Sequence, residues 1–312
     1  MARRFGRPRG WRAASLAQFH IAVPGDCRYI LFRRSFAVVA GARGVGLPLL
    51  SAIIITRDEA ANIVACLDSI AFCDERIVVD CGSRDDTVRL AQEAGARVVS
   101  LPWKGFGPQK NLALSLASGD WVLSIDADER VSPALAAEID SAVRSERVNG
   151  YEIPRSSNFC GRRMRHSGWH FDYVLRLFRR GRARFSDRLV HEDVICDAPV
   201  ARLREPLAHY PIDTLEAAIS KIDRYSSLGA AMLVARRRPV WFGTGIVRGL
   251  AAFVRTYLLR RGFLDGREGF LVAVYDAETT YYRYMKAWLA MRHDRIANGR
   301  ERSSADHGTA ER

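Results

Sequence analysis

From residue 50 onward, short uninterrupted apolar runs alternate with longer segments in which apolar residues recur every three or four positions. "SAIIIT", residues 51–56, predicts a strand buried on both faces. Ile63, Leu67 and Ile70 then share one helical face. "RIVVD" predicts a second strand, "CGSRDDTVRLAQEAGA" a turn and a helix ending at Gly95, and "RVVSL" a third strand. "GPQKNLALSLASG" predicts a helix with Pro108 near its start and Gly119 just past its end, the positions that suit each residue. "DWVLSID" is a fourth strand, and Ser132-Pro133 opens a helix with Leu135, Ile139 and Val143 on one face. Regular strand–helix alternation predicts an α/β fold, a mostly parallel sheet flanked by helices.

After residue 150 the alternation stops. "VLRLFRRGRARFSDRLVHEDVIC" predicts antiparallel strands joined by a basic turn. From Asp213 the pattern is helical, with Asp213 and Glu216 at capping-box spacing. A helix near 246–259 gathers Ile246, Val247, Leu250, Val254 and Leu258 on one face and Arg248 and Arg255 on the other. A Tyr-rich amphipathic segment runs from Glu268 to Met291. The expected organisation is therefore a disordered Arg-rich extension (1–47), an α/β domain (48–205), an amphipathic helical extension (206–298) and a disordered tail (299–312).

Hydrophobic residues make up 48% of the 312, which excludes global disorder. The net charge of +13 is uneven, with nine Arg against one acid, Asp26, in residues 1–48. Such a balance predicts an anionic partner: nucleic acid, anionic lipid or a phosphorylated substrate. The six Cys form no C-x-x-C pair, so reduced thiols and a cytosolic setting are expected. The Arg-rich start has no apolar core followed by a small-residue cleavage site, so no signal peptide is expected. The apolar stretch 36–56 carries Arg43, which would cost about 2.5–3.5 kcal/mol at the centre of a membrane helix. It is read instead as a lead into the first strand.

In sheets of this class, ligands bind outside the carboxyl ends of the strands. Those ends are expected at Thr56, Asp80, Leu101 and Asp126, which sets Asp80, Asp126 and Asp128 along one edge. Two carboxylates spaced D-x-D can offer oxygens to one Mg²⁺ or Mn²⁺, which completes its shell from phosphates and water. That chemistry suits a leaving nucleoside diphosphate. Glu59 and Asn62 follow the first strand, and Asp80 can accept hydrogen bonds from a nucleobase or ribose. Lys110 can reach a phosphate, Asp85 and Asp86 are expected to cap a helix, and Glu129 is expected at the surface. "VHEDV" places Glu192 and Asp193 on an otherwise apolar strand, where neighbours face opposite sides and one of the two can enter a site. His191 is a candidate ligand or supporting residue. "GARGVG" opens no βα unit and no P-loop lysine motif is present, so neither dinucleotide nor P-loop chemistry is expected.

Taken together, "SAIIITRDEAANI", "RIVVDCGSRDDTVRLA", "GFGPQKNLALSLASGDWVLSIDADERVS" and "RLVHED" resemble glycosyltransferase family 2 over roughly residues 50–200. The resemblance implies a GT-A fold, a nucleotide-sugar donor, a D-x-D metal site and inversion at the anomeric carbon. It implies a nucleoside pocket lined by Thr56, Glu59 and Asp80, with Lys110 also on the donor. Asp126 would face ribose or metal, and Asp128 would be the principal metal ligand. Glu192 would be the base, with Asp193 as second choice. "RLFRR", "RLVHE" and "GFLDGREGF" resemble a narrower branch, the lipopolysaccharide inner-core glucosyltransferases. That likeness implies transfer of a hexose, glucose from UDP-glucose, to a core heptose or similar lipid-linked glycan. Arginines at 236–238, 248, 255, 260 and 261 beside an apolar face have the character of interfacial helices. With a lipid-linked acceptor, the expectation is a peripheral position on the cytoplasmic face of the inner membrane, in contact with its anionic surface.

Two readings of another kind compete. One is a basic nucleic-acid-binding protein, against which the acids at the sheet edge argue, since they repel a phosphate backbone; no specific nucleic acid is expected. The other is a non-catalytic nucleotide-sugar-binding module of the same fold. A nucleotidyltransferase would carry a Gly-rich basic loop after the first strand, where this chain has "TRDEAANI".

Overall fold

The computed structural model describes residues 48–145, 147–169, 172–186 and 193–308, with side chains as far as His293. The Arg-rich extension, His191 and Glu192 lie outside the described residues.

The four expected strands form as β1 (Leu50–Thr56), β2 (Glu75–Asp80), β3 (Arg97–Ser100) and β4 (Trp121–Ser124). They lie parallel in the order β3-β2-β1-β4. Between them run α1 (Ile63–Ser69), α2 (Thr87–Glu93) and α3 (Phe106–Leu116), and α4 (Pro133–Ala142) follows. Alternate residues of these strands enter two separate cores. Leu50, Ala52, Ile54, Val78, Trp121 and Leu123 pack with α1, α2 and α4. Ile53, Ile77, Val79 and Val122 pack beneath α3. Because both faces are covered, the strands read as continuous apolar runs rather than alternating ones.

The sheet continues past β4. The two-residue strand β5 (Glu129–Arg130) precedes α4; β6 (Gly150–Phe159), β7 (Arg162–Arg163) and β8 (Asp172–Arg179) come after it. β8 pairs antiparallel with both β4 and β6, so β6 runs in the same direction as β4 and ends on the same edge. The hairpin of β9 (Ala183–Phe185) and β10 (Val194–Cys196) forms its own two-stranded sheet. The expected antiparallel set across "VLRLFRRGRARFSDRLVHEDVIC" is thus split between two sheets after Arg179. β11 (Val200–Arg202) pairs with β6, and β12 (Leu207–Ile212) inserts parallel to β6 and antiparallel to β5.

The helical part starts later than the expected boundary at 206, because β12 belongs to the main sheet. It consists of α5 (Leu215–Ala235), α6 (Phe242–Val254) and the long α7 (Gly266–Gly308), which continues past the expected start of a tail at 299. Thr214, not Asp213, caps α5: its hydroxyl accepts from the Ala217 N–H. Asp265 seats the turn before α7 by accepting from the N–H groups of Arg165 and His166 at 3.0 and 2.9 Å. The Ser167 hydroxyl donates to the same carboxylate at 3.0 Å.

Candidate functional site

The carboxyl ends of β1, β2 and β4 and the loops after them make one acidic edge. Thr56 and Asp80 are register partners across β1 and β2. Both are buried, and the Thr56 hydroxyl reaches Asp80 at 3.3 Å. Asp80 also accepts from the N–H groups of Gly82 and Ser83 at 2.9 and 3.0 Å and from the Ser83 hydroxyl. Gly82, at φ 87°, supplies the left-handed residue that lets the loop fold back over this carboxylate. Across the gap, the Asp58 carboxylate accepts from the Arg84 N–H at 2.7 Å and Asp85 accepts from the Ala60 N–H at 3.0 Å, lacing the first two loops together. Asp85 thus does more than cap α2, while Asp86 pairs with Arg89.

Glu59 accepts from the Asn62 amide at 2.9 Å. Burial raises its pKa, helped by the nearby Asp128 and Asp126 and opposed by Asn62 and Lys221. Glu59 and Lys221 of α5 therefore share the electrostatic environment of the D-x-D pair. Arg130 ties the loop after β4 to the loop after β1 through the Asn62 carbonyl at 2.9 Å.

The three acids of "DADE" take different roles. Asp126 meets Lys110 at 3.0 Å on one oxygen and Arg176 of β8 on the other. Burial alone would raise its carboxyl, but Arg176 and Lys110 outweigh that and hold it far below the usual range. Glu129, expected at the surface, is fully buried and pairs with Arg176 at 2.6 Å while accepting the Asp126 N–H at 2.9 Å. The short strand β5 turns it inward, because its backbone pairs with His209 of β12. Asp128 meets a histidine rather than the Arg176 and Lys110 that hold Asp126. Its Oδ2 lies 3.5 Å from His209 Nε2, and the other ring nitrogen of His209 lies 3.0 Å from the Ser157 hydroxyl. Burial would raise the Asp128 carboxyl, but His209 and the Lys221 charge lower it on balance.

Lys110 is buried rather than solvated, 5.8 Å from the centroid of the Phe185 ring. Its neighbour Asn111 holds Phe185 by both backbone groups, at 2.8 and 2.9 Å, which brings the β9–β10 hairpin beside Asp126. Just beyond Phe185, Ser186 and Asp193 bond to each other through the Asp193 carbonyl at 2.9 Å and the Ser186 hydroxyl at 3.0 Å. Asp193 is exposed there. Gln109, fully buried next to Lys110, has neither amide atom partnered among the described residues, which is uncommon in a folded interior.

Sequence reasoning missed Arg176, His209, Lys221 and Arg155, which lies 3.9 Å from Glu129. Arg176 had a usable signal: a charge inside the apolar "VLRLF" run, where a buried arginine requires a buried acid. His209 had none, since β12 joins the site only through its pairing with β5 and β6.

Among the described residues no group of three or more His, Cys, Asp or Glu forms a metal cage. Asp128 with His209 nevertheless offers an oxygen and a nitrogen at one point. Two donors of this kind fit a divalent ion such as Mn²⁺ that draws its other ligands from a diphosphate and water. Asp126 keeps a second lone pair on each oxygen beside its two cations, and its side chain is 33% exposed, so it can still accept from a ribose hydroxyl.

The model of the glycosyl transferase family 2 matches residues 51–207. A glycosyltransferase of Rickettsia felis is 32% identical over 250 residues, covering 76% of this chain and 88% of that one. The lipopolysaccharide core biosynthesis glycosyltransferase LpsC of Rhizobium meliloti is 31% identical over 250 residues, covering 75% and 93% respectively. Among solved structures, glucosyl-3-phosphoglycerate synthase from Mycobacterium tuberculosis is 30% identical over 36% of this chain and 45% of that one, with a TM-score of 0.30. With its α/β sheet, helical C-terminal part and a matched region that holds every strand-end acid of the edge, the chain belongs to glycosyltransferase family 2.

Proposed function

We propose that the protein is an inverting hexosyltransferase that moves glucose from UDP-glucose onto a lipopolysaccharide core heptose or a similar lipid-linked glycan. The observation that carries this reading is the acidic edge itself, where Asp128 stands beside His209 while Asp126 and Glu129 are locked by Arg176. The likeness to LpsC, whose name places it in lipopolysaccharide core biosynthesis, supports the acceptor class.

In this reading Thr56, Glu59 and Asp80 line the nucleoside pocket. Asp80 is held by its own loop and so presents a fixed acceptor. Asp126 faces the ribose, and Lys110, buried against it, supplies positive charge toward the diphosphate. A divalent ion held by Asp128, with His209 as second donor, would neutralise the diphosphate as it leaves. Inversion by single displacement needs a carboxylate that removes the proton from the acceptor hydroxyl on the face opposite the leaving group. Glu192 takes that role, with Asp193 as the alternative, on the resemblance of "RLVHED" to the family's motif. A lipid-linked acceptor places the work at the cytoplasmic face of the inner membrane.

The test is turnover of UDP-hexoses with a delipidated core oligosaccharide, with the product anomer read by NMR. Transfer with inversion is the expected result, and no transfer from any UDP-hexose contradicts it. Loss of the base lowers kcat by about 10²–10⁴. Glu192→Gln is expected to show that loss and Asp193→Asn less than a tenth of it; the reverse ranking would make Asp193 the base.

A further inference from the structure

α6 is packed the wrong way round for a helix whose only solvent is water. The face it turns to α7 consists of Gly245, Gly249 and Ala252, all buried. The approach is close: a Cβ on Gly249 would stand 3.2 Å from Tyr281 Cβ and 3.3 Å from the Ala277 carbonyl oxygen. The large apolar residues point outward instead. Val247, Leu250 and Leu259 are 60%, 64% and 75% exposed, and Trp241, Leu258 and Phe263 are also exposed. Water-facing helices normally bury that stripe, and a contiguous apolar surface left open marks an interaction site.

The charge around this face is predominantly positive: as far as Phe270 the acids are Asp265, which is buried, and Glu268, which pairs with Arg162. Residues 236–264 contain arginines at 236, 237, 238, 248, 255, 260 and 261 and no Asp, Glu or Lys. On the helix, Arg248 and Arg255 run along one flank of the apolar stripe. Past the π-helical turn Arg255–Leu259, Tyr257, Phe263, Phe270, Leu271 and Arg267 line an apolar hollow of about 590 Å³. An apolar stripe flanked by arginines is complementary to a surface with an apolar interior and anionic head groups.

We propose that the outward face of α6, continued through the turn to Phe270, docks on an anionic lipid bilayer. α6 has 13 residues, about 20 Å, too short to cross a hydrocarbon core of about 30 Å. Among the described residues no helix is long and apolar enough to cross a membrane. α6 therefore lies in the plane of the interface, backed by α7. Asp265 ties this face to the main sheet by holding the 165–167 loop, which follows the β6–β7 hairpin.

This inference extends the lipid-linked-acceptor reading, and the assay runs without donor or acceptor, so it fails or succeeds separately from nucleotide binding. The full chain is floated with vesicles of phosphatidylcholine alone or with phosphatidylglycerol, at low and high salt. Flotation only with the anionic vesicles, reduced by salt, is expected. Val247→Ser with Leu250→Ser in one chain weakens partition about tenfold or more. Arg248→Gln with Arg255→Gln weakens it by about fivefold per arginine. Neither pair changes UDP binding. Three outcomes overturn the proposal: no flotation; flotation that neither pair affects, which moves the contact elsewhere; or an equal loss from Leu228→Ser on the exposed side of α5. A fourth is a change from dimer to monomer in the sedimentation of the Val247→Ser/Leu250→Ser chain without vesicles, which would assign the face to a second copy.

Discussion

Arg176 carries two acids on one guanidinium nitrogen, Glu129 at 2.6 Å and Asp126 on the opposite side, and it is almost wholly buried. Removing one partner of a buried ion pair leaves an uncompensated charge, at a cost of about 3–5 kcal/mol. Arg176→Met is therefore expected to lower unfolding free energy by that amount in urea titrations at neutral pH. The acid limb should change too. The folded pKa of Asp126 lies below its unfolded value, so its contribution is present above about pH 4 and is lost as pH falls through the folded value. Without Arg176 most of that lowering disappears, so the decline in urea midpoint below about pH 4 should be shallower in the variant. An unchanged decline would mean that Lys110 alone holds Asp126. The D-x-D pair was legible from its position after an apolar run, but the division of labour within it was not. Sequence spacing says that three acids are close together; Arg176 of β8, which lies beside β4, and Lys110 of α3 determine which of them face a cation.

The same contrast holds for the elements. β1 to β4 and the helices between them were readable because each apolar run is local and its periodicity is set by burial on both faces. β5 was not, since two residues pairing with a distant strand leave no periodic trace, and β12, "LAHYPI", is buried only at its two ends and so shows no alternation. α6 was legible as an amphipathic helix, yet its orientation was not, because a hydrophobic stripe conventionally marks the buried side. Its glycine face gives a direct test of the observed packing. Gly249→Leu forces a side chain into Tyr281 and the Ala277 carbonyl and should destabilise the protein by about 1–3 kcal/mol in urea titration. Leu250→Ala, one residue on and facing outward, should stay within about 0.5 kcal/mol. The opposite ranking would mean that α6 buries its large residues.

At the scale of the whole molecule, β6, β12 and the turn at Asp265 join the acidic edge of β1, β2 and β4 to a helical part that shows an arginine-flanked apolar face. The loops at the carboxyl edge are fixed by carboxylates that accept backbone N–H groups, so the site needs little rearrangement to receive a nucleotide. Chelation of divalent ions should consequently abolish transfer while leaving the melting temperature of the free protein nearly unchanged, a pairing that thermal melts with and without EDTA would check. The central claim is that Asp128 anchors a metal-dependent donor site, and calorimetric titration of UDP and UDP-glucose, with and without Mn²⁺, tests it most directly. The account predicts binding that strengthens with Mn²⁺ and an Asp128→Ala variant that loses the metal dependence while remaining folded. No binding of either uridine nucleotide, or a variant that binds as the parent does, would contradict it.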